Sequence, residues 1–155
     1  MKRYKAYYQS EIGMIEIIGT EKEILGVKFI DGETEIIETP PPLKRCIEQL
    51  EEYFKGSRKI FSLILPLQGT DFQNRVWMEL LKIPFGETKS YTDIAAAIGN
   101  RKAIRAVGQA NGNNKISILI PCHRVIGRNG DLTGYGGGLW RKEWLLGHER
   151  KFRGR

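Results

Sequence analysis

The stretch ILIPCHRVIGRNG, residues 118–130, sets a cysteine beside a histidine directly behind a proline and an apolar run. The chain has only two cysteines and two histidines, and one of each stands here. A resting thiol has a pKa of ~8.5 and supplies little thiolate at neutral pH unless a cation, a hydrogen-bonded base or a helix N-terminus lowers it. His123 and Arg124 are placed to exert such an influence on Cys122, and Pro121 fixes the backbone just ahead of the thiol. Residues adjacent in sequence rarely point the same way, so a bridging water is the expected relay between Cys122 and His123. A histidine base needs its own orienter. The candidate is Glu149 in KEWLLGHE, at the end of a helix carrying Trp144, Leu145 and Leu146. Asn114 is expected to hold the turn ahead of the cysteine through side-chain to backbone hydrogen bonds. The bland alternatives are a buried thiol with a polar neighbour, an exposed carboxylate at Glu149 and, the preferred reading there, a surface histidine at His148.

Metal chemistry fits poorly. The chain has no CxxC or HxxxH spacing, and Cys46 has no Cys or His nearby to complete a tetrahedral site. A lone bridge between Cys46 and Cys122 is disfavoured in the intracellular setting suggested by the absence of a signal-like N-terminus or an apolar run of ~20 residues. A cytoplasmic protein without metal or cofactor is the expectation, with a monomer as the default.

The elements that must position this chemistry fall into two halves. YKAYYQS, GMIEIIGT and ILGVKFID are β-branched or aromatic runs broken at Gly13, Gly19 and Asp31-Gly32, which predicts a small antiparallel sheet with one wet face. After Pro40-Pro41-Pro42, a helical stripe of Leu43, Ile47, Leu50 and Phe54 ends at Gly56, with Cys46 packing beside it. LPLQGT reads as a linker, giving an N-terminal α/β domain at 1–68 and a C-terminal domain at 69–155. In the second domain Asp71 is the expected N-cap of FQNRVWMELLKI, with Phe72, Val76 and Leu80 as its apolar face. The fold class is α/β (α+β), with a mostly helical, winged helix-turn-helix-like second domain.

Charge separates the halves as well. Residues 1–69 carry a balance of −1 and residues 70–155 one of +8, so the positive field belongs to the second half. A basic half points to a polyanion, nucleic acid first, although a merely solvated surface is equally compatible with charge alone. SYTDIAAAIGN has capping-box spacing at Ser90 and Asp93 and a C′ glycine at Gly99, and RKAIRAVGQANGNN follows as a second short helix. Two short helices joined by a turn match a helix-turn-helix. Major-groove readers carry Arg, Asn or Gln toward base edges. Here Ala103, Ala106, Gly108 and Ala110 predominate around one long side chain, Arg105, which suits close approach to a narrow groove and a wedge into the stack. Further on, TGYGGG lets backbone approach a flat ligand, with Tyr135 as a wall for stacking; an ordinary flexible loop is the alternative.

Together, IPCHRV, TGYGGG, RKEWLLGHE and SYTDIAAAIGNRKAIRAVGQANGNN resemble the O6-alkylguanine-DNA alkyltransferases over nearly all of residues 70–150. The first half is similar to that family only in size and element order. The resemblance implies a self-inactivating DNA-repair protein that binds duplex DNA containing O6-alkylguanine in the minor groove. Arg105, with Ala106, Gly108 and Ala110, would contact DNA and fill the gap left by an everted guanine, which Tyr91 helps rotate out. The base would lie between Tyr135 and the Cys122 segment, contacted by Tyr91, backbone near Gly136, the Cys122 carbonyl and the Val125 amide. Cys122 would take the alkyl group once, with His123 and a water accepting the thiol proton and Glu149 orienting His123. This chain departs from members with Ser where Gly136 stands, and from those with N-terminal zinc ligands.

Three rivals remain at this point. A lesion binder of the same build lacks the acceptor cysteine that this chain has. A sequence-reading regulator would need base-reading side chains on the second helix, and a cysteine hydrolase would turn over repeatedly without needing a basic half.

Overall fold

The computed structural model describes residues 1–32 and 39–154. Contacts divide the chain into two compact units, Met1–Pro66 and Leu67–Arg155.

In the first unit, β1 (Tyr4–Ser10), β2 (Gly13–Gly19) and β3 (Ile24–Ile30) form an antiparallel sheet in that order. Ser10 opposite Gly13 sets a two-residue hairpin. Gly19 is required by close approach, because a Cβ there would lie 2.6 Å from the Glu23 carbonyl and 2.7 Å from Leu43 Cδ1. Ile15, Ile17, Ile24 and Val27 are buried, as the β-branched runs predict. The opposite face is less wet than alternation suggested. Glu16 is itself buried there, between Lys5 at 3.9 Å and Lys28 at 3.8 Å on the flanking strands. Helix α1 (Pro41–Phe54) packs on the sheet. Its buried side is Leu43, Cys46, Leu50, Tyr53 and Phe54. Cys46 thus lies in the stripe rather than beside it, and Ile47 is only half-buried.

In the second unit, α2 (Asp71–Leu80) is capped by Thr70, not Asp71. The Thr70 hydroxyl accepts from the Gln73 amide, and the Gln73 side chain accepts from the Thr70 N–H, a reciprocal box that Asp71 one residue later cannot form. Strand β4 (Lys89–Ser90) leads into α3 (Tyr91–Ala97), whose Ser90/Asp93 capping box is present. Gly99, at φ +78°, ends α3, and α4 (Ile104–Gly112) follows after a short turn, completing the helix-turn-helix. A 3₁₀ turn (Cys122–Arg124) runs into β5 (Val125–Ile126), and α5 (Leu139–Phe152) closes the unit. Strands β4 and β5 pair in parallel, Lys89 with Val125 and Ser90 with Ile126, which ties the start of α3 to the end of the cysteine turn.

Candidate active site

The apolar run before Cys122 folds as a tight, buried turn. Ile118 has φ +71°, a conformation that costs a β-branched residue ~1–3 kcal/mol, and it persists because its surroundings over-determine it. Asn114, two residues past α4, supplies that constraint. Its Nδ2 donates to the Ile120 carbonyl at 2.9 Å and its Oδ1 accepts from the Ile116 amide at 3.0 Å.

Cys122 is buried, 5% exposed. Burial pushes its thiol up, against the expectation of a resting thiolate; the Asn114 side chain and the Lys142 ammonium oppose that rise. Arg124, expected to act on the thiol, is engaged elsewhere. Its Nε and Nη2 donate to Glu149 Oε1 and Oε2 at 2.8 and 3.1 Å, and its Nη1 donates to the Ile83 carbonyl at 2.7 Å.

His123 is fully buried, with Nε2 2.6 Å from Glu149 Oε2. Glu149 reaches it from α5, 1% exposed, and also accepts from the Gly86 amide at 3.1 Å. Burial alone would raise the Glu149 carboxyl, but His123 and Arg124 overcome it and keep the carboxylate ionised. Burial holds His123 below its ordinary value despite Glu149. The imidazole is therefore neutral near pH 7, Nε2 donates its proton to Glu149, and Nδ1, which makes no hydrogen bond within the protein, is left as an acceptor. A neutral histidine oriented by a carboxylate, next to a thiol that still holds its proton, is the arrangement of a general base and its nucleophile.

Lys142 is the residue that sequence reasoning missed. It is 0% exposed, its Nζ donates to the Thr133 carbonyl at 2.7 Å and lies 6.0 Å from the centre of the Tyr91 ring. Burial lowers its pKa to about 8, and Cys122 is the group that opposes the fall. Lys142 lies seven residues before Glu149 on α5, and helical spacing from that carboxylate was the one available signal. His148 is not at the surface either. It is buried, stacked on Trp144 with ring centres 5.0 Å apart and edge-on to Phe85.

The Tyr91 hydroxyl donates to the Thr133 carbonyl at 3.3 Å and accepts from the Thr133 hydroxyl at 3.0 Å. Tyr135 buries its hydroxyl, which faces Ser117 without a hydrogen bond of normal geometry, and burial raises its pKa well above the usual phenol value. Gly136 is exposed, with nothing within 4 Å of where a Cβ would stand. Val125 is buried, and its amide donates to the Cys122 carbonyl.

On α4, Arg105 and Ala106 are exposed and Gly108 sits 3.9 Å, measured from its would-be Cβ, below the Tyr91 ring. Ala110 does not belong on that surface. It is 2% exposed, and its carbonyl accepts from Trp77 Nε1 at 2.8 Å, because this turn of the helix faces α2.

Comparisons with known proteins agree in kind. Residues 71–151 match the family model "6-O-methylguanine DNA methyltransferase, DNA binding domain", and residues 3–68 match "6-O-methylguanine DNA methyltransferase, ribonuclease-like domain". A methylated-DNA–protein-cysteine methyltransferase of Methanosarcina acetivorans is 47% identical over 149 residues, covering 92% of this chain and 96% of that one. The crystal structure of the Mycobacterium tuberculosis O6-methylguanine methyltransferase superposes with a TM-score of 0.88 at 42% identity, over 97% of this chain and 94% of that one. The structure of Mycobacterium tuberculosis OGT in complex with DNA gives a TM-score of 0.85 at 45% identity, over 94% and 93% of the two chains.

Proposed function

The chain belongs to the 6-O-methylguanine DNA methyltransferase family, and on that premise we propose that it transfers the alkyl group of O6-alkylguanine in duplex DNA to its own Cys122, once per molecule. The observation that carries this reading is the buried His123–Glu149 pair at 2.6 Å, directly after Cys122 in the chain, with Nδ1 of His123 left as an acceptor.

The helix-turn-helix, with Arg105 and Ala106 on its exposed side, supports minor-groove docking without sequence reading. An O6-alkyl group weakens pairing, so the damaged base is the one most easily everted. Within the complex the thiol proton passes through a water to His123 Nδ1. The sulfur then forms the S–C bond to the alkyl carbon, the C–O6 bond breaks, and its electron pair stays on the guanine. The Tyr91 hydroxyl and backbone N–H groups near Gly136 are suited to stabilise that charge. Lys142 offsets the charge on sulfur as the proton leaves. The product is a thioether with no leaving group for water to displace, so the site is consumed. This displacement needs no metal and no redox cofactor. Among the described residues no helix is long and apolar enough to cross a membrane. We assign the protein to the cytoplasm as a monomer acting on double-stranded DNA.

Intact-mass analysis after incubation with duplex DNA carrying O6-methylguanine tests the reading. A single methyl increment, mapped to Cys122 and absent from Cys122→Ala, is expected. Repeated turnover, or tight lesion binding with no increment, would overturn it.

A further inference from the structure

Helix α4 carries a polar side chain that the reaction described above does not use. Asn111 is 3% exposed, and its Nδ2 donates to the Cys122 carbonyl at 3.3 Å. Its Oδ1 makes no hydrogen bond within the protein. Protein interiors pair their buried polar groups, and an amide left half-satisfied is a poorer choice for packing than an apolar side chain of the same size. Among the described residues, His123 Nδ1 and the Tyr135 hydroxyl share this condition, and His123 is the residue after Cys122. Asn111, bonded to the Cys122 carbonyl, and His123, the next residue in the chain, therefore each hold a buried, unpaired acceptor.

The chemistry of the two atoms narrows what joins them. Asn Oδ1 accepts by nature, and His123 Nδ1 accepts because Nε2 holds the proton given to Glu149. Two acceptors cannot satisfy each other. One water donates to both and accepts a third bond from the thiol, which is the number of bonds a buried water typically makes. We infer that Asn111 is a positioning residue for alkyl transfer: Nδ2 fixes the Cys122 carbonyl, and Oδ1, together with His123 Nδ1, holds the water that takes the thiol proton. This rests on the function proposed above. In the step itself the water gives one proton to Nδ1 and takes the proton from sulfur. Water is regenerated, a thiolate and an imidazolium are formed, and the water proton bonded to Asn111 stays in place.

The test uses the full chain with Asn111→Leu, which removes both hydrogen bonds at similar volume. Single-turnover methyl transfer from an O6-methylguanine duplex is expected to slow about 10- to 100-fold, as for a misplaced catalytic group. Duplex affinity, measured on the Cys122→Ala background, is expected to hold, and the thermal midpoint to stay level or rise. Alkylation of Cys122 by iodoacetamide requires no DNA, and its pH–rate limb is expected to move to higher pH. The other groups that act on the thiol, Asn114, His123, Lys142 and Tyr135, are unaltered in the variant. If Asn111→Leu does not fold, Asn111→Met is measured in the same way. A wild-type transfer rate, or an unmoved iodoacetamide limb, overturns the inference; so does failure of both variants to fold, which would make Asn111 structural. A wild-type protein that acquires no methyl group overturns the proposed function instead, and the iodoacetamide comparison still decides Asn111.

Discussion

The two cysteines share a condition and differ in everything around it. Cys46 on α1 and Cys122 at the 3₁₀ turn are both free thiols and both buried. Around Cys46 the buried side of α1 is mostly apolar, and burial alone pushes its pKa up to about 12. Burial raises Cys122 too, but there the Asn114 amide, the Lys142 ammonium and the backbone N–H groups of Cys122 and His123 stand against it. Exposure therefore does not separate the reactive thiol from the inert one. Polar groups that exist only around Cys122 do, and they make its proton removable at the moment of reaction instead of leaving a thiolate at rest.

The largest effect that could break this contrast is qualitative. Cys122→Ala is expected to abolish methyl acquisition and Cys46→Ala to leave it intact, read by intact mass; a methyl group mapped to Cys46 would end the comparison. Next is Glu149→Gln, which unseats the base. Transfer is expected to fall about 10²- to 10³-fold, within the range for general-base catalysis. Stability should drop by roughly 3–5 kcal/mol as Arg124 loses its buried counter-charge, read by urea unfolding at pH 7. Cys46 then sharpens the other side. Its folded pKa is raised from 9 to about 12, so its contribution is complete below pH 9 and lost as pH rises toward 12. That amounts to at most about 4 kcal/mol. Cys46→Val should flatten this alkaline decline, measured as urea midpoints at pH 8 and 10.5. The smallest effect is that of Lys142→Met. The folded lysine, near 8, releases its proton before the unfolded one at 10.5, so stability should rise with pH between those values and the variant should lose that rise. Its transfer rate at pH 7 should fall about tenfold as the thiol loses its cation.

What the sequence disclosed follows from how local each signal is. Strand limits set by Gly13 and Gly19, the Ser90/Asp93 box and the Gly99 stop depend on a few neighbouring residues, and each stands where the chain pattern puts it. The Thr70–Gln73 box was equally local but was obscured by Asp71, itself a good capping residue one position on. The proximity of His123 and Glu149 could be proposed because a base requires an orienter and few carboxylates follow the cysteine. Lys142 could not be found in this way. A lysine on a helix ordinarily reads as solvated, and only the return of the chain at Thr133 covers its ammonium. Arg124 was assigned to the thiol by adjacency, whereas the fold gives it to Glu149 from across the unit. Ala110 looked like its small neighbours on α4, and only the packing of Trp77 shows that this part of the helix faces inward.

Helix α5 is a measuring rod. Lys142 and Glu149 hang from the same rod seven residues apart, close to two full turns and a rise of ~10.5 Å. Leu145 and Leu146 anchor the stretch between them in the interior. Adding or deleting a single residue in that interval would swing one of the two charges by about 100° around the axis. The counter-ion of the sulfur or the support of the imidazole would then face the wrong way, whatever the identities of the residues. Here the spacing of the two groups is as much a part of the chemistry as their kind, and substitutions should be forgiven where a change of length is not.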